Sequence, residues 1–349
     1  LTSFVDMAPT LLSLAGIEPP DWMQGVAFAG KYPAPPRKYL FGFRGRMDER
    51  YDLVRSVTDG RYVYLRNYMP HLPHGQHVYY QFQTRTTQLW KELYDSGKAT
   101  PAQSRFWQKR EPEELYDLQS DPDEVINLAS DSNHLAKLEE LRAANRQHLL
   151  KIRDVGFLPE DEIHTRSKDS SPYEVGHDEN QYPLERILSM AEAASSLQED
   201  AIPLLIKGLS DEDSAVRYWA AMGFVMRKKE ATLANEKLLA AQLAPTNAPC
   251  PRLVAAAALA EHATGDNFDA ALKTLATLAD PEKNSQYVCA QTLNVIDNLG
   301  DKADSILPQL RQFSRKAPSG TRGAEKIPTL LDHILGPVNN DAPKKKKAA

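Results

Sequence analysis

The alternation of apolar and polar positions opens with Phe4–Pro20, FVDMAPTLLSLAGIEPP, which predicts one amphipathic helix. Asp6 is placed to cap its N-terminus, and Pro9 falls in the first turn, where a missing N–H costs little. Leu11, Leu12, Leu14 and Ala15 form an apolar stripe, Gly16 takes a C′-like position, and Pro19-Pro20 forbid continuation. A stripe this apolar needs a packing partner, and the expected partner is a sheet lying upstream of residue 1. Asp21–Arg37 reads as loop and Lys38–Phe43 as a short strand. Tyr51–Thr58 and Arg61–Tyr68 alternate on either side of Asp59-Gly60, which predicts a β-hairpin over 51–68 with Tyr62 and Tyr64 on one face and Val63 and Leu65 on the other. Met69–His77 is a Pro- and His-rich loop. Thr86–Leu93 and Ala102–Lys109 read as helices, and Glu114–Leu118 as a last strand closed by the Asp121-Pro122 turn. Asn133–Val155 carries Leu135, Leu138, Leu141, Leu149 and Ile152 near helical spacing, a long helix expected to pack across the small sheet.

The character changes at Phe157–Tyr182, which is polar, charged and nearly without aliphatics, and reads as an extended linker or strap. From Pro183 the chain is rich in Ala and Leu, and an internal repeat aligns. Arg217-Tyr218-Trp219-Ala220-Ala221 matches Arg252-Leu253-Val254-Ala255-Ala256 and then Gln286-Tyr287-Val288-Cys289-Ala290, with Phe224, Leu259 and Leu293 following at equal distance. Ser210-Asp211-Glu212-Asp213 before Ala215-Val216-Arg217 resembles the inter-helix turn of HEAT repeats. Units of this kind cannot bury their faces alone and stack as an α-solenoid. The expected fold is therefore a small antiparallel α+β sheet with packing helices over 1–165, a linker over 166–182, an all-α HEAT-like solenoid over 183–338 and a disordered Lys-rich tail over 339–349.

Composition narrows this picture only a little. The 349 residues suffice for about two domains at roughly 150 residues each, and 42% hydrophobic with 26% charged residues is ordinary for a globular chain. A net charge of −5 gives the chain as a whole no pull on nucleic acid or anionic membrane. Cys250 and Cys289, the two cysteines, make neither a disulfide framework nor a zinc quartet. No apolar run approaches the roughly 18 residues of a membrane span.

Three segments carry a family resemblance. VDMAPTLLSLAGI with Gly25-Val26-Ala27-Phe28 resembles the helix and loop that open the C-terminal part of the sulfatases, members of the alkaline-phosphatase-like superfamily. ERYDLVRSVTDGRYVYLRNY resembles their small-sheet hairpin, and Glu113–Leu128, EELYDLQSDPDEVINL, their ELYDL…DP-E…NL segment. The resemblance covers about residues 1–165. It implies a sulfuric ester hydrolase acting on a sulfated sugar or polysaccharide, with a C-x-P-x-R nucleophile and a calcium ion held by Asp and Asn side chains. Cys250 is followed directly by Pro251-Arg252 and Cys289 by Ala290-Gln291-Thr292, so neither fits that motif. In the family the nucleophile, the metal ligands and the catalytic Lys and His residues precede the helix that opens this chain. The chain alone is therefore expected to be an inactive fragment that binds no calcium itself, and export is the family's usual destination.

Substrate contact is the chemistry still open to these residues. Arg44, Arg46, Asp48, Glu49 and Arg50 lie between a strand end and the hairpin, where arginine forks suit sulfate or carboxylate groups and carboxylates suit sugar hydroxyls. Arg44, Arg46, Asp48, Glu49 and His71 are the expected substrate-binding set. A solvated charged loop is the plain alternative. His71, His74 and His77 invite a metal reading, against which stands simple loop or pocket-edge placement. Glu113, Glu114, Asp117, Asp121, Asp123 and Glu124 read as strand and turn residues, and Trp90, Tyr94, Trp107 and Tyr116 as core of the small domain. The rival function is a non-catalytic protein–protein scaffold on the helical repeats, and the Lys344–Lys347 run is too short to make a nucleic-acid binder.

Overall fold

A computed structural model describes residues 1–227, 229–315 and 324–336. The Lys-rich tail expected to be disordered lies outside them. The elements in order are α1 (Met7–Leu14), β1 (Leu40–Arg44), β2 (Val54–Thr58), β3 (Tyr62–Asn67), α2 (Arg85–Asp95), α3 (Pro101–Arg105), β4 (Glu113–Asp117) and α4 (Leu135–Ile152). There follow α5 (Glu160–Arg166), α6 (Pro172–His177), α7 (Leu184–Ser195), α8 (Ile202–Gly208), α9 (Ser214–Met226), α10 (Lys229–Ala234), α11 (Glu236–Gln242) and α12 (Pro249–His262). Last come α13 (Asp266–Leu278), α14 (Gln286–Leu299), α15 (Leu307–Leu310) and α16 (Lys326–Leu335). A small antiparallel sheet is thus joined to many helices. Two compact units result: residues 1–44, 53–68 and 111–153 form the first, and 45–52, 69–110 and 154 onward the second.

In the first unit the sheet runs β1-β2-β3-β4, antiparallel throughout. The register aligns Phe41, Val57, Tyr64 and Leu115 in one cross-strand row. Side chains alternate faces along a strand, so this row presents a single apolar face. Leu138 and Leu141 of α4 close over it to make the core, with Tyr39, Phe41, Tyr62, Leu128 and Ala129 at its margin. The predicted hairpin is present, and its turn is centred one residue later than the Asp-Gly pair suggests. Thr58 pairs with Val63 and the Asp59 amide bonds to the Tyr62 carbonyl, leaving Gly60-Arg61 as the two central residues. Gly60 alone adopts positive φ (97°), as a turn with glycine in first position requires. Asp59 stays outside because its carboxylate accepts from the amides of Arg61 and Tyr62, at 3.0 and 2.7 Å.

Helix α1 follows one 3-10 turn, Phe4–Asp6, and ends at Gly16 (φ 77°) with the Ile17 amide reaching back to the Leu12 carbonyl. Its apolar stripe is exposed in this chain and its polar face is covered. The buried residues are Asp6, Pro9, Thr10 and Ser13, while Leu11 and Leu14 are 63% and 62% exposed and Phe4 is 91% exposed. The polar face is occupied by the following loop: the Val26 amide donates to Asp6 (2.9 Å), the Phe28 amide to Thr10 Oγ1 (3.2 Å) and the Tyr32 amide to Ser13 Oγ (2.8 Å). Gly25 permits the approach, since a Cβ there would lie 1.9 Å from the Val5 carbonyl oxygen. Asp6 therefore does not cap α1 with its side chain; it serves as the anchor of this loop and of Arg37. Burial works to raise the Asp6 pKa, but the Val26 and Ser3 amides and Arg37 outweigh it and hold the carboxyl below its ordinary value.

In the second unit the helices carry their own core. Helix α9 packs on α7 and α12, and α12 on α13 and α14. The three repeat segments fall on α9, α12 and α14, where Ala220, Ala255 and Cys289 are fully buried and let backbones approach. Asp213 caps α9 through the Ala215 amide and Ser285 caps α14 through the Val288 amide. The stretch 157–182, expected to be extended, instead holds α5 and α6. Most of its few apolar residues serve as anchors: Phe157, Leu158, Val175 and Tyr182 are buried, while Tyr173 is exposed. Trp219 donates Nε1–H to the Phe157 carbonyl (2.8 Å), and Arg166 forms a two-pronged pair with Asp213.

Candidate functional site

The segment that carries the expected substrate contacts is a tight turn. Met47 and Arg50 exchange backbone hydrogen bonds of 2.7 and 2.8 Å, and Asp48 at the corner has φ 47°. Arg44 ends β1 in the first unit, where its carbonyl accepts from Arg55 Nη1. The rest of the set belongs to the second unit. Arg46 forms a fork-to-fork pair with Glu160 at the start of α5, with Nε–Oε2 2.6 Å and Nη2–Oε1 2.9 Å, and a third bond to the Asp48 carbonyl. Asp48 pairs with Lys326 of α16 at 2.8 Å.

Glu49 and Arg50 are each 2% exposed. Glu49 Oε1 accepts from the Tyr79 amide (2.5 Å), and its carbonyl accepts from Asn294 Nδ2 (2.7 Å). Arg50 donates Nε–H to the His77 carbonyl (2.6 Å) and pairs through Nη1 with Asp297 of α14 (2.7 Å). Its Nη2 and Asn294 Oδ1 are buried without a hydrogen-bond partner. Asp52 and Arg110 make a pair with both side chains buried, 2.6 Å apart, and Arg110 also donates to the carbonyls of Leu72 (2.9 Å) and Met69 (2.8 Å).

The three histidines of the 69–77 loop do not converge. His71 has Nδ1 buried without a hydrogen-bond partner, and burial, with Lys109 and Arg110 nearby, pushes its pKa down to about 3. His74 lies against Phe106. His77 stacks on His333 of α16, with centroids 3.7 Å apart and planes at 13°. Burial, then His333 and Arg50, push the His77 pKa down to about 4, with Asp297 opposing. Among the described residues no group of three or more His, Cys, Asp or Glu side chains is arranged to hold a metal ion. Cys250 and Cys289 are buried in α12 and α14. Burial pushes the Cys250 thiol far above its ordinary range and Cys289 up to about 12, so both stay protonated. Among the described residues no helix is long and apolar enough to cross a membrane.

Sequence reasoning placed the charge run between strand and hairpin but missed its partners Glu160, Asn294, Asp297 and Lys326, and the His333 partner of His77. Each lies more than 100 residues away and stands in a helix as an ordinary polar residue. It expected Trp90, Tyr94, Trp107 and Tyr116 together in the core of the small domain; Tyr116 is buried in the first unit, whereas Trp90, Tyr94 and Trp107 group in the second, with Trp107 buried and the other two half-buried. There Trp90 stacks on Phe106 (4.6 Å, 20°), and Phe82, Tyr94 and Trp90 meet Trp107 at 5.4–6.3 Å.

The chain contains a sulfatase-related part of about half its length. One relative, an ulvan-active sulfatase of Formosa agariphila, is 40% identical over 164 residues, which are 47% of this chain and 28% of that protein. A second ulvan-active sulfatase of the same organism is 31% identical over 149 residues, 40% of this chain and 27% of that protein. The chain thus spans little more than a quarter of the length of the curated relatives it matches. No family model matches it.

Proposed function

We propose that this chain is the C-terminal part of a sulfatase whose whole hydrolyses sulfate esters of a sulfated polysaccharide. The observation that carries this reading is the 40% identity over 164 residues with an ulvan-active sulfatase. Supporting it, the helix, the two hairpin strands and the last-strand segment that resemble sulfatases belong to the first unit, and β3 and β4 pair directly. In this reading the C-x-P-x-R nucleophile and the calcium ligands belong to the part of the parent that precedes residue 1. The chain alone is inactive, because charge complementarity to sulfate does not replace an activated nucleophile. Arg44, Arg46, Asp48, Glu49 and His71 are the proposed substrate-side residues, and the helices are a HEAT-like module open to a protein partner.

The test is to read the coding sequence upstream of Leu1 and assay sulfate release from ulvan, for the chain alone and joined to that upstream region. The expected result is an upstream C-x-P-x-R motif and sulfate release from the joined protein only. Release by the chain alone overturns its inactivity. An upstream region lacking that motif overturns the sulfatase reading and leaves the scaffold.

A further inference from the structure

The second unit contains a surface that the substrate-side residues do not account for. Between Tyr79 and Lys109 the chain folds into α2, α3 and their flanking turns, and aromatic and cationic side chains are interleaved along it. Tyr79 and Tyr80 are 54% and 53% exposed. Phe82, Trp90, Tyr94 and Phe106 are half-buried and surround buried Trp107, so their rings are fixed in place. Lys91 reaches over the rings of Tyr94 and Trp107. Trp90 Nε1 donates to the Gln103 carbonyl at the exposed junction of α2 and α3, which ties the two helices together.

The charge of this stretch runs against that of the chain. Between Tyr79 and Lys109 the sequence carries Arg85, Lys91, Lys98, Arg105 and Lys109 against Glu92 and Asp95, in a protein whose net charge is −5. Arg85 and Lys91 have intramolecular partners in Glu92 and Asp95, whereas Lys98 and Lys109 are exposed. Such local contrast favours a polyanion at this stretch over the rest of the chain. The aromatics then select among polyanions, since the C–H face of a pyranose ring packs on an exposed aromatic ring while its sulfate groups reach the lysines.

We propose that the α2–α3 surface, with Tyr79, Tyr80, Lys98 and Lys109 as its exposed contacts, is a non-catalytic binding site for a sulfated polysaccharide strand. It holds the polymer by stacking and ion pairing while hydrolysis takes place elsewhere in the parent. The choice of a sulfated glycan over other polyanions rests on the sulfatase reading; the surface itself rests on geometry and charge.

The experiment uses the full 349-residue chain. Binding to ulvan, to chemically desulfated ulvan and to single-stranded DNA is measured by affinity electrophoresis and calorimetry, at about 50 mM and about 200 mM salt. Ulvan should bind, lose affinity steeply with salt, and lose most of its affinity on desulfation. Lys98→Glu with Lys109→Glu should weaken binding about tenfold or more, and Tyr79→Ser with Tyr80→Ser should weaken it at both salt concentrations. Reversal of two exposed lysines on other helices, Lys237→Glu with Lys273→Glu, should leave it unchanged. Equal losses in that control, or ulvan binding untouched by the α2–α3 variants, overturn the site. Single-stranded DNA bound as tightly as ulvan with the same variant sensitivity overturns the glycan as occupant. These readouts need no turnover, so failure of the parent's hydrolysis assay and failure of this site are separate results.

Discussion

The Asp52–Arg110 pair gives the sharpest quantitative test of the second unit. Both side chains are withdrawn from water, 0% and 2% exposed, and the guanidinium is held by one carboxylate and two carbonyls. Removing one partner strands a buried charge, which costs about 3–5 kcal/mol, whereas replacing both with apolar groups of similar volume is close to neutral. Arg110→Met should therefore lower the urea midpoint by about 1–2 M, at a slope of about 2–3 kcal/mol per M. Asp52→Leu should do the same, and the double variant should recover most of the loss. Tryptophan emission is the natural probe, since Trp90, Trp107 and Trp219 all lie in this unit. Additive single and double variants, or single variants within about 0.5 kcal/mol of the parent chain, would refute the buried-pair account.

Three further outcomes are expected. His77 is held neutral beside His333, with Arg50, Asp297 and Glu49 as the charged groups facing the pair. A depressed histidine pKa places its contribution above pH 6.5, to be lost as pH falls toward about 4, so stability should drop over that window by about 1–2 kcal/mol after solvent screening. His77→Gln should flatten that part of the profile in urea titrations. The exposed face of α1 should bind a hydrophobic dye in the folded chain, and Leu11→Glu with Leu14→Glu should abolish most of that signal without lowering the melting temperature; a cooperative melt with no dye binding by the unmodified chain contradicts it. Asp6→Ala removes the acceptor of two amides and Arg37 and should cost about 2–3 kcal/mol, read as accelerated amide exchange at Val26.

What could be read in advance depended on whether the cause was local. The hairpin was legible because alternation and a glycine turn are encoded within 18 residues, and only the Asp59 side chain's claim on the Arg61 and Tyr62 amides moved the turn's centre. The end of α1 was legible from Gly16 and its apolar stripe from Leu11 and Leu14, whereas nothing local signalled that Thr10 and Ser13 hold the 26–32 loop on the opposite face. Stretch 157–182 looked extended because its aliphatics are sparse, yet a handful of anchors set against α7 and α9 fold it. The partners of Arg46 and Arg50 had no local signal at all. An ion pair formed across 114 residues, as between Arg46 and Glu160, leaves no periodicity at either end.

The same distinction bears on what the cations of this chain are free to do. An arginine in a loop reads as an anion receptor because its fork matches sulfate and carboxylate alike. Arg46 already has such a carboxylate in Glu160, met by both prongs, and Arg50 has Asp297 and the His77 carbonyl. For either to receive a sulfate ester, one anion must be exchanged for another. For Arg46, whose side chain is 29% exposed, that exchange forfeits a partly screened pair worth about 1 kcal/mol. For Arg50, whose side chain is 3% exposed, it opens a buried cluster at a cost of about 3–5 kcal/mol. Lys98 and Lys109, on the α2–α3 face, are exposed lysines in a stretch with only two carboxylates. In the proposed reading, a sulfated ligand is received at least cost by Lys98 and Lys109, at a modest cost by Arg46 and at the greatest cost by Arg50. Charge-reversal variants rank these positions directly, because the penalty of exchange appears as a smaller loss of binding for the cation that was already paired.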